Sequence, residues 1–138
     1  MMKTLLIPFL ALFPLSATAQ SYTTAAEVRP ILEMTRANWI AVRNFDGRDL
    51  IYFSNPLSWR CGLTAIRYSV NGETEVHDLP MEPCYEGEAN PNNLKFDKGT
   101  EVYITLPPDS VKSVHVVMAM DDGSEMIGDY ERAAVQIN

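Results

Sequence analysis

Residues 113–131, SVHVVMAMDDGSEMIGDYE, read as two strands around a reversal. Gly follows Asp at 122–123, a pairing typical of hairpin turns because Gly takes positive φ without steric cost. A three-residue loop, Asp121-Asp122-Gly123, sets Met118 opposite Met126, Val114 opposite Tyr130 and Val117 opposite Ile127. A two-residue loop would instead set Val116 against Asp129. Slipping a strand by one residue exchanges its two faces, so the apolar pairs select the three-residue loop. The same register brings Lys112 opposite Arg132, where pairing is expected to fray.

Two further reversals carry the same signal, Asp46-Gly47 and Asn71-Gly72. Around the second, a three-residue loop pairs Ile66 with Val76, Tyr68 with Thr74 and Arg67 with Glu75. A two-residue loop would oppose Val70 to Glu73 and Tyr68 to Glu75. Around the first, a three-residue loop pairs Arg43 with Asp49, Val42 with Leu50 and Ile40 with Tyr52, and a two-residue loop fits almost equally well. Both faces of Trp39–Phe45 are partly apolar, which suggests an interior strand. Glu101 to Leu106 alternates as a further strand and stops at Pro107-Pro108. Ahead of them, Thr24-Ala25-Ala26-Glu27 has capping-box spacing, and apolar residues follow at helical intervals. The spacing predicts a helix from Thr24 to Arg36, bent at Pro30. The expected fold is mainly β: an antiparallel β-sandwich or partly open barrel of about seven strands with one N-terminal helix.

The start of the chain points to export. Lys3 precedes an apolar run, Leu5 to Leu15, too short to span a bilayer as a helix and interrupted by Pro8 and Pro14. Ala17-Thr18-Ala19 matches the small-residue pattern of a signal-peptide cleavage site. Residues 1–19 are therefore expected to be a signal peptide, and 20–138 a single disulfide-closed β-rich domain, periplasmic or secreted. The full chain carries 11 basic and 18 acidic side chains, net −7. Loss of Lys3 leaves 10 against 18, net −8. This balance argues against nucleic acid, and no later segment is apolar enough for a membrane span. Cys61 and Cys84 are the only cysteines. In an oxidising compartment they are expected to form a disulfide, worth about 3.4 kcal/mol of chain entropy for the loop they close. Its partner segment, Leu79 to Gly99, is a long irregular stretch of the kind that needs pinning.

The chain does not spell out a catalytic centre. His115 and Met118 point to opposite faces of one strand, so they do not read as a copper site. His115 should instead lie beside Asp129. His77 reads as a solvated residue opposite Ala65. The turn at 121–125 is too short for a calcium loop. Neither a nucleophile elbow nor a Gly-rich phosphate loop is found, so no metal or cofactor site is assigned. The remaining feature is a meeting of Trp59, Arg60 and Tyr85, brought together if Cys61 and Cys84 bond. These residue types dominate interface hot spots, although aromatic rings also cover disulfides for purely structural reasons.

The segments NWIAVRNFDG (38–47), DLIYFS (49–54), LSWRCGL (57–63), IRYSVNG (66–72) and MEPCYEG (81–87) resemble small exported bacterial proteins without assigned activity. The resemblance implies export and no particular site. The expected function is a non-catalytic interaction module of the cell envelope that meets a protein partner through Trp59, Arg60 and Tyr85. Alternatives are a small carboxylate-dependent hydrolase and a small-ligand carrier. Thiol titration of the exported, processed protein should find neither sulfur free until a reductant is added. Two free thiols would remove the staple from the scheme.

Overall fold

The computed structural model describes residues 11–15, 20–97 and 99–138. The expected leader and its cleavage point after Ala19 lie outside them, apart from residues 11–15, which have no regular structure. Seven strands form two antiparallel sheets that are not closed into a barrel. β1 (Ala41–Phe45), β2 (Arg48–Tyr52) and β5 (Tyr103–Leu106) make a three-stranded sheet in the order β1-β2-β5. β3 (Leu63–Val70), β4 (His77–Asp78), β6 (Ser113–Met120) and β7 (Glu125–Glu131) make the second, in the order β4-β3-β6-β7. Val42, Ile51 and Phe53 on one side meet Ile66, Val116 and Met118 on the other in one continuous core. No helix among the described residues is long and apolar enough to cross a membrane.

The β6–β7 hairpin has the expected register, with Met118 opposite Met126, Val114 opposite Tyr130 and Val117 opposite Ile127. Burial alternates along β7, with Met126, Gly128 and Tyr130 facing inward. Pairing ends at Ser113 and Glu131, and the chain turns at Arg132 into a short helix, α3 (Arg132–Val135).

The other two hairpins differ from expectation. β1 and β2 join through two residues, Asp46 and Gly47, both at positive φ (52° and 70°), so Val42 pairs with Ile51 and Asn44 with Asp49. That is the twist-matching form of the tight turn. It places Asp49 on the same face as Ile51, where the partly buried Arg132 meets it. β1 is also an edge strand and not an interior one. Trp39 and Ile40, which made the segment look partly apolar on both faces, are buried ahead of the strand. The outer edge of β1 is met by the C-terminal residues, where Ile137 N donates to Val42 O at 2.9 Å.

At Asn71-Gly72 the chain reverses tightly, with Glu73 N bonded to Val70 O, but strand pairing does not resume at once. The Glu73 carboxylate turns back to accept from Val70 N at 3.0 Å. Pairing restarts three residues later than expected, with His77 opposite Tyr68 and Asp78 opposite Arg67. Leu79, bonded to Ile66 O and buried, takes the inward place expected of Val76, which is 62% exposed while Ile66 is fully buried. Leu79 supplies a larger apolar side chain to the core, and the intervening Glu-Thr-Glu run is left to water.

α1 spans Ala25–Met34, continues through Pro30, and passes into a 3-10 turn at Arg36–Asn38. Thr24 caps it by accepting from Glu27 N. Glu27 accepts in return from the Thr24 hydroxyl (3.0 Å) and from Tyr22 N (2.8 Å), so the expected box closes on neighbouring donors. Asp121, from the β6–β7 turn, accepts from Ala25 N at 2.8 Å and ties that turn to the start of α1. The helix sits tightly on Gly62: a Cβ there would lie 2.3 Å from Val28 Cγ2 and 2.8 Å from Thr24 O. Trp39, fully buried, donates from Nε1 to Leu32 O at 2.8 Å and holds the far end of α1 on the core.

Asp49 joins the two sheets. It is fully buried on β2, and its oxygens accept from Arg132 Nη1 (2.6 Å) and Nη2 (3.1 Å), Val111 N (3.0 Å) and Asp109 N (3.2 Å). Arg132 beside it, aided by the two amides against the opposing cost of burial, holds the Asp49 carboxyl down at about 2. Removing one partner of such a pair strands the other. Arg132→Met should therefore destabilise the fold by about 3–5 kcal/mol, measured by urea unfolding. Because the folded Asp49 is more acidic than the unfolded one, its contribution is complete above about pH 4. It is lost as pH falls toward 2. The unfolding midpoint of Arg132→Met should fall less over that interval than that of the parent.

Candidate interaction surface

The segment following α2 (Ser54–Leu57) tightens into a 3-10 turn at Arg60–Gly62, and Cys61 in that turn bonds to Cys84 with the Cα atoms 4.9 Å apart. The disulfide thus ties the irregular stretch after β4 to the start of β3, as expected. Two buried charges organise that stretch as well. Arg60 is only 2% exposed, and its guanidinium donates to the carbonyls of Glu82 (2.9 Å), Pro83 (2.9 Å), Asn92 (2.5 Å) and Asn93 (3.1 Å). Glu82, also buried, does the converse. It accepts from the amides of Lys95 (3.0 Å) and Phe96 (3.0 Å) and from the Tyr85 hydroxyl (3.0 Å). One cation gathers four carbonyls and one anion gathers two amides, so several backbone polar groups of a loop without regular structure find partners. Burial lowers the pKa of Arg60, and the nearby Glu82 charge opposes that shift.

Asn92 completes the arrangement. Its side chain accepts from Cys61 N (2.8 Å) and donates to Tyr22 O (2.7 Å), which fastens the segment ahead of α1 to the same loop. The result is a shallow hollow of about 290 Å³ bounded by Tyr22, Trp59, Ala89, Asn90 and Pro91. Tyr22 and Trp59 stand edge to face across 5.3 Å.

The three residues singled out in the sequence have separate places. Trp59 is half-buried, packed on the core and open to the hollow. Tyr85 is half-buried under Lys95, whose Nζ lies 4.0 Å above its ring, with the Arg60 guanidinium 5.5 Å away. Burial, followed by the bond to Glu82, pushes the Tyr85 phenol up. Arg60 faces the interior and offers its donors to backbone, so it shapes the surface without being part of it. Tyr22 and Asn92 were not legible as members of this site. Their positions depend on a contact between segments about 70 residues apart.

The histidines have simpler surroundings. His115 Nδ1 lies 2.6 Å from Asp129 on the exposed face, as the hairpin register implies. His77 stacks on Tyr68 at 5.2 Å, with Glu73 2.9 Å from Nε2 and Glu75 4.0 Å from Nδ1. Glu73, Glu75 and His77 form a group with metal-ligand chemistry. One ligand atom from each lies within 4.8 Å of the others, but both carboxylates are exposed and Glu73 is already engaged by Val70 N and His77, so the group reads as a solvated cluster. Met118, Met120 and Met126 are buried core residues.

No family model matches the chain, and neither a curated protein nor a solved structure matches it. Arg60→Lys should keep the charge and lose the planar fork that serves several carbonyls at once. It is expected to cost about 2–4 kcal/mol and to speed amide exchange at Lys95 and Phe96 more than at β6. Unchanged exchange at those two amides would show that the loop holds without the guanidinium.

Proposed function

We propose that the chain is an exported, non-catalytic interaction module of the cell envelope that binds a protein partner through the surface on the disulfide side. The observation carrying this reading is the Tyr22–Trp59 pair at the mouth of a hollow whose walls are fixed by covalent and buried polar links. A surface that is ordered before binding loses little freedom when a partner arrives, so more of the contact energy remains as affinity. Tyr and Trp supply broad apolar contact with few rotatable bonds. Tyr85, with Lys95 above it, belongs to the same loop, and Arg60 serves as its internal support. The leader-like residues 1–19 and the disulfide support an oxidising destination, periplasmic or secreted.

Two variants address this surface differently. Ala89→Trp fills the hollow from an exposed loop position and should leave thermal stability unchanged. Tyr22→Ser removes the aromatic edge. The parent, cross-linked in envelope extract from its own host, should retain a partner that both variants lose by tenfold or more, while Glu33→Gln on α1 retains it. Equal recovery of that partner by Ala89→Trp and Tyr22→Ser, with the melting temperature preserved, would move the interface elsewhere.

A further inference from the structure

The three-stranded sheet ends at β5, whose second edge has no neighbouring strand among the described residues. Phe53 N donates to Val102 O at 2.7 Å in continuation of the β2–β5 register. In an antiparallel ladder, bonded and non-bonded pairs alternate. Val102, Ile104 and Leu106 therefore direct their N–H and C=O groups toward β2, whereas Tyr103 and Thr105 direct theirs outward. Among the described residues, none donates to or accepts from those outward groups. β5 carries no charged side chain, bulge or internal proline, the usual protections of an exposed edge, and is limited only by its four-residue length.

Beside this edge lies a cleft of about 510 Å³ between β5 and the β3–β4 reversal. Tyr68, Val70, Ile104 and Leu106 give it apolar walls, and Glu73 and His77 stand at its side. Among the described residues no Lys or Arg lines it. One Glu73 oxygen is used by Val70 N and His77, and the other is left for a ligand among the described residues. Glu75 adds a second acid beside His77.

We propose that β5 receives an extended cationic peptide segment as an added strand. Tyr103 and Thr105 supply up to four main-chain hydrogen bonds, alternate peptide side chains enter the cleft, and a Lys or Arg of the peptide meets Glu73. Strand addition is a general route to peptide recognition, in which the backbone gives affinity and the side-chain pockets give selectivity. Charge decides the occupant. A second copy of this chain, also net −7, would bring its own acids to the same edge, whereas a basic segment is attracted to it. This edge shares no residue with the hollow at Trp59, so the two surfaces can be occupied independently.

The test uses capped peptides, Ac-Arg-Val-Thr-Val-Arg-NH2 and its Glu-for-Arg counterpart, titrated into labelled protein and followed by amide shifts and exchange. The basic peptide should shift Tyr103 and Thr105 and slow their exchange, and the acidic one should bind at least tenfold more weakly. Thr105→Pro deletes an outward N–H without touching the β2 ladder, so the fold should persist while peptide binding is lost. Glu73→Gln should weaken the basic peptide about fivefold. The proposal fails if millimolar basic peptide leaves Tyr103 and Thr105 unmoved. It also fails if Thr105→Pro binds as tightly as the parent, or if the acidic peptide binds equally well. Sedimentation showing that the chain alone pairs through β5, and that Thr105→Pro abolishes the pairing, would assign the edge to a second copy and overturn the peptide.

Discussion

The Asp49 carboxylate is where two sheets become one folded unit. It projects from the central strand of the smaller sheet, takes two amides from the turn that leads out of β5, and clasps Arg132 at the end of the larger sheet. An anion in that position would be costly alone, since burial disfavours its charge. Four donors make it tolerable, and they come from two distant parts of the chain, the turn at 109–111 and Arg132. The tight β1–β2 turn follows from the same constraint, because the two-residue loop keeps Asp49 on the inner face with Ile51. Arg132 likewise stops β7 and opens α3, since its side chain is drawn inward to Asp49.

A second buried pair of charges does comparable work at the disulfide end without direct contact between the two. Arg60 is surrounded by carbonyls and Glu82 by amides, so each ion is solvated by backbone dipoles in place of water. Such an arrangement suits a loop that must be irregular and still hold its shape. The disulfide restricts where the loop begins, and Arg60, Glu82 and Asn92 determine its path from there. The half-buried rings of Tyr22 and Trp59 inherit a fixed spacing from these interior contacts. Rigid support under aromatic side chains is the physical basis for reading this face as one that meets a partner.

Legibility differed sharply between elements. The β6–β7 register could be derived because both of its strands alternate cleanly and only one loop length keeps apolar residues together. At Asn71-Gly72 the same criterion points to Val76, the nearest apolar side chain, whereas Leu79 just beyond it takes the inward place. The preference for Leu79 arises from the depth of the core between Ile66 and its neighbours, together with the inward turn of Glu73 onto Val70 N. The first reversal left two loop lengths nearly equal, and the choice rested on a partner for Asp49 more than eighty residues away. Arg60 had the composition of an interface residue and the position of an internal brace. Its burial is set by carbonyls from the 82–93 region, which local sequence does not place.

The amino-acid sequence by itself determined the mainly β architecture, the starting helix with its Thr24 cap, the pairing of two thiols and the alternation of the C-terminal hairpin. These are local matters: side-chain period, turn chemistry and a cysteine pair with no competing partner. Only the tertiary structure decided the strand order, the edge positions of β1 and β5, the Asp49–Arg132 link and the hollow between Tyr22 and Trp59. Each of those depends on which remote groups arrive to satisfy a buried charge or cover an apolar face, and the free energy of such meetings belongs to the assembled core rather than to any single segment.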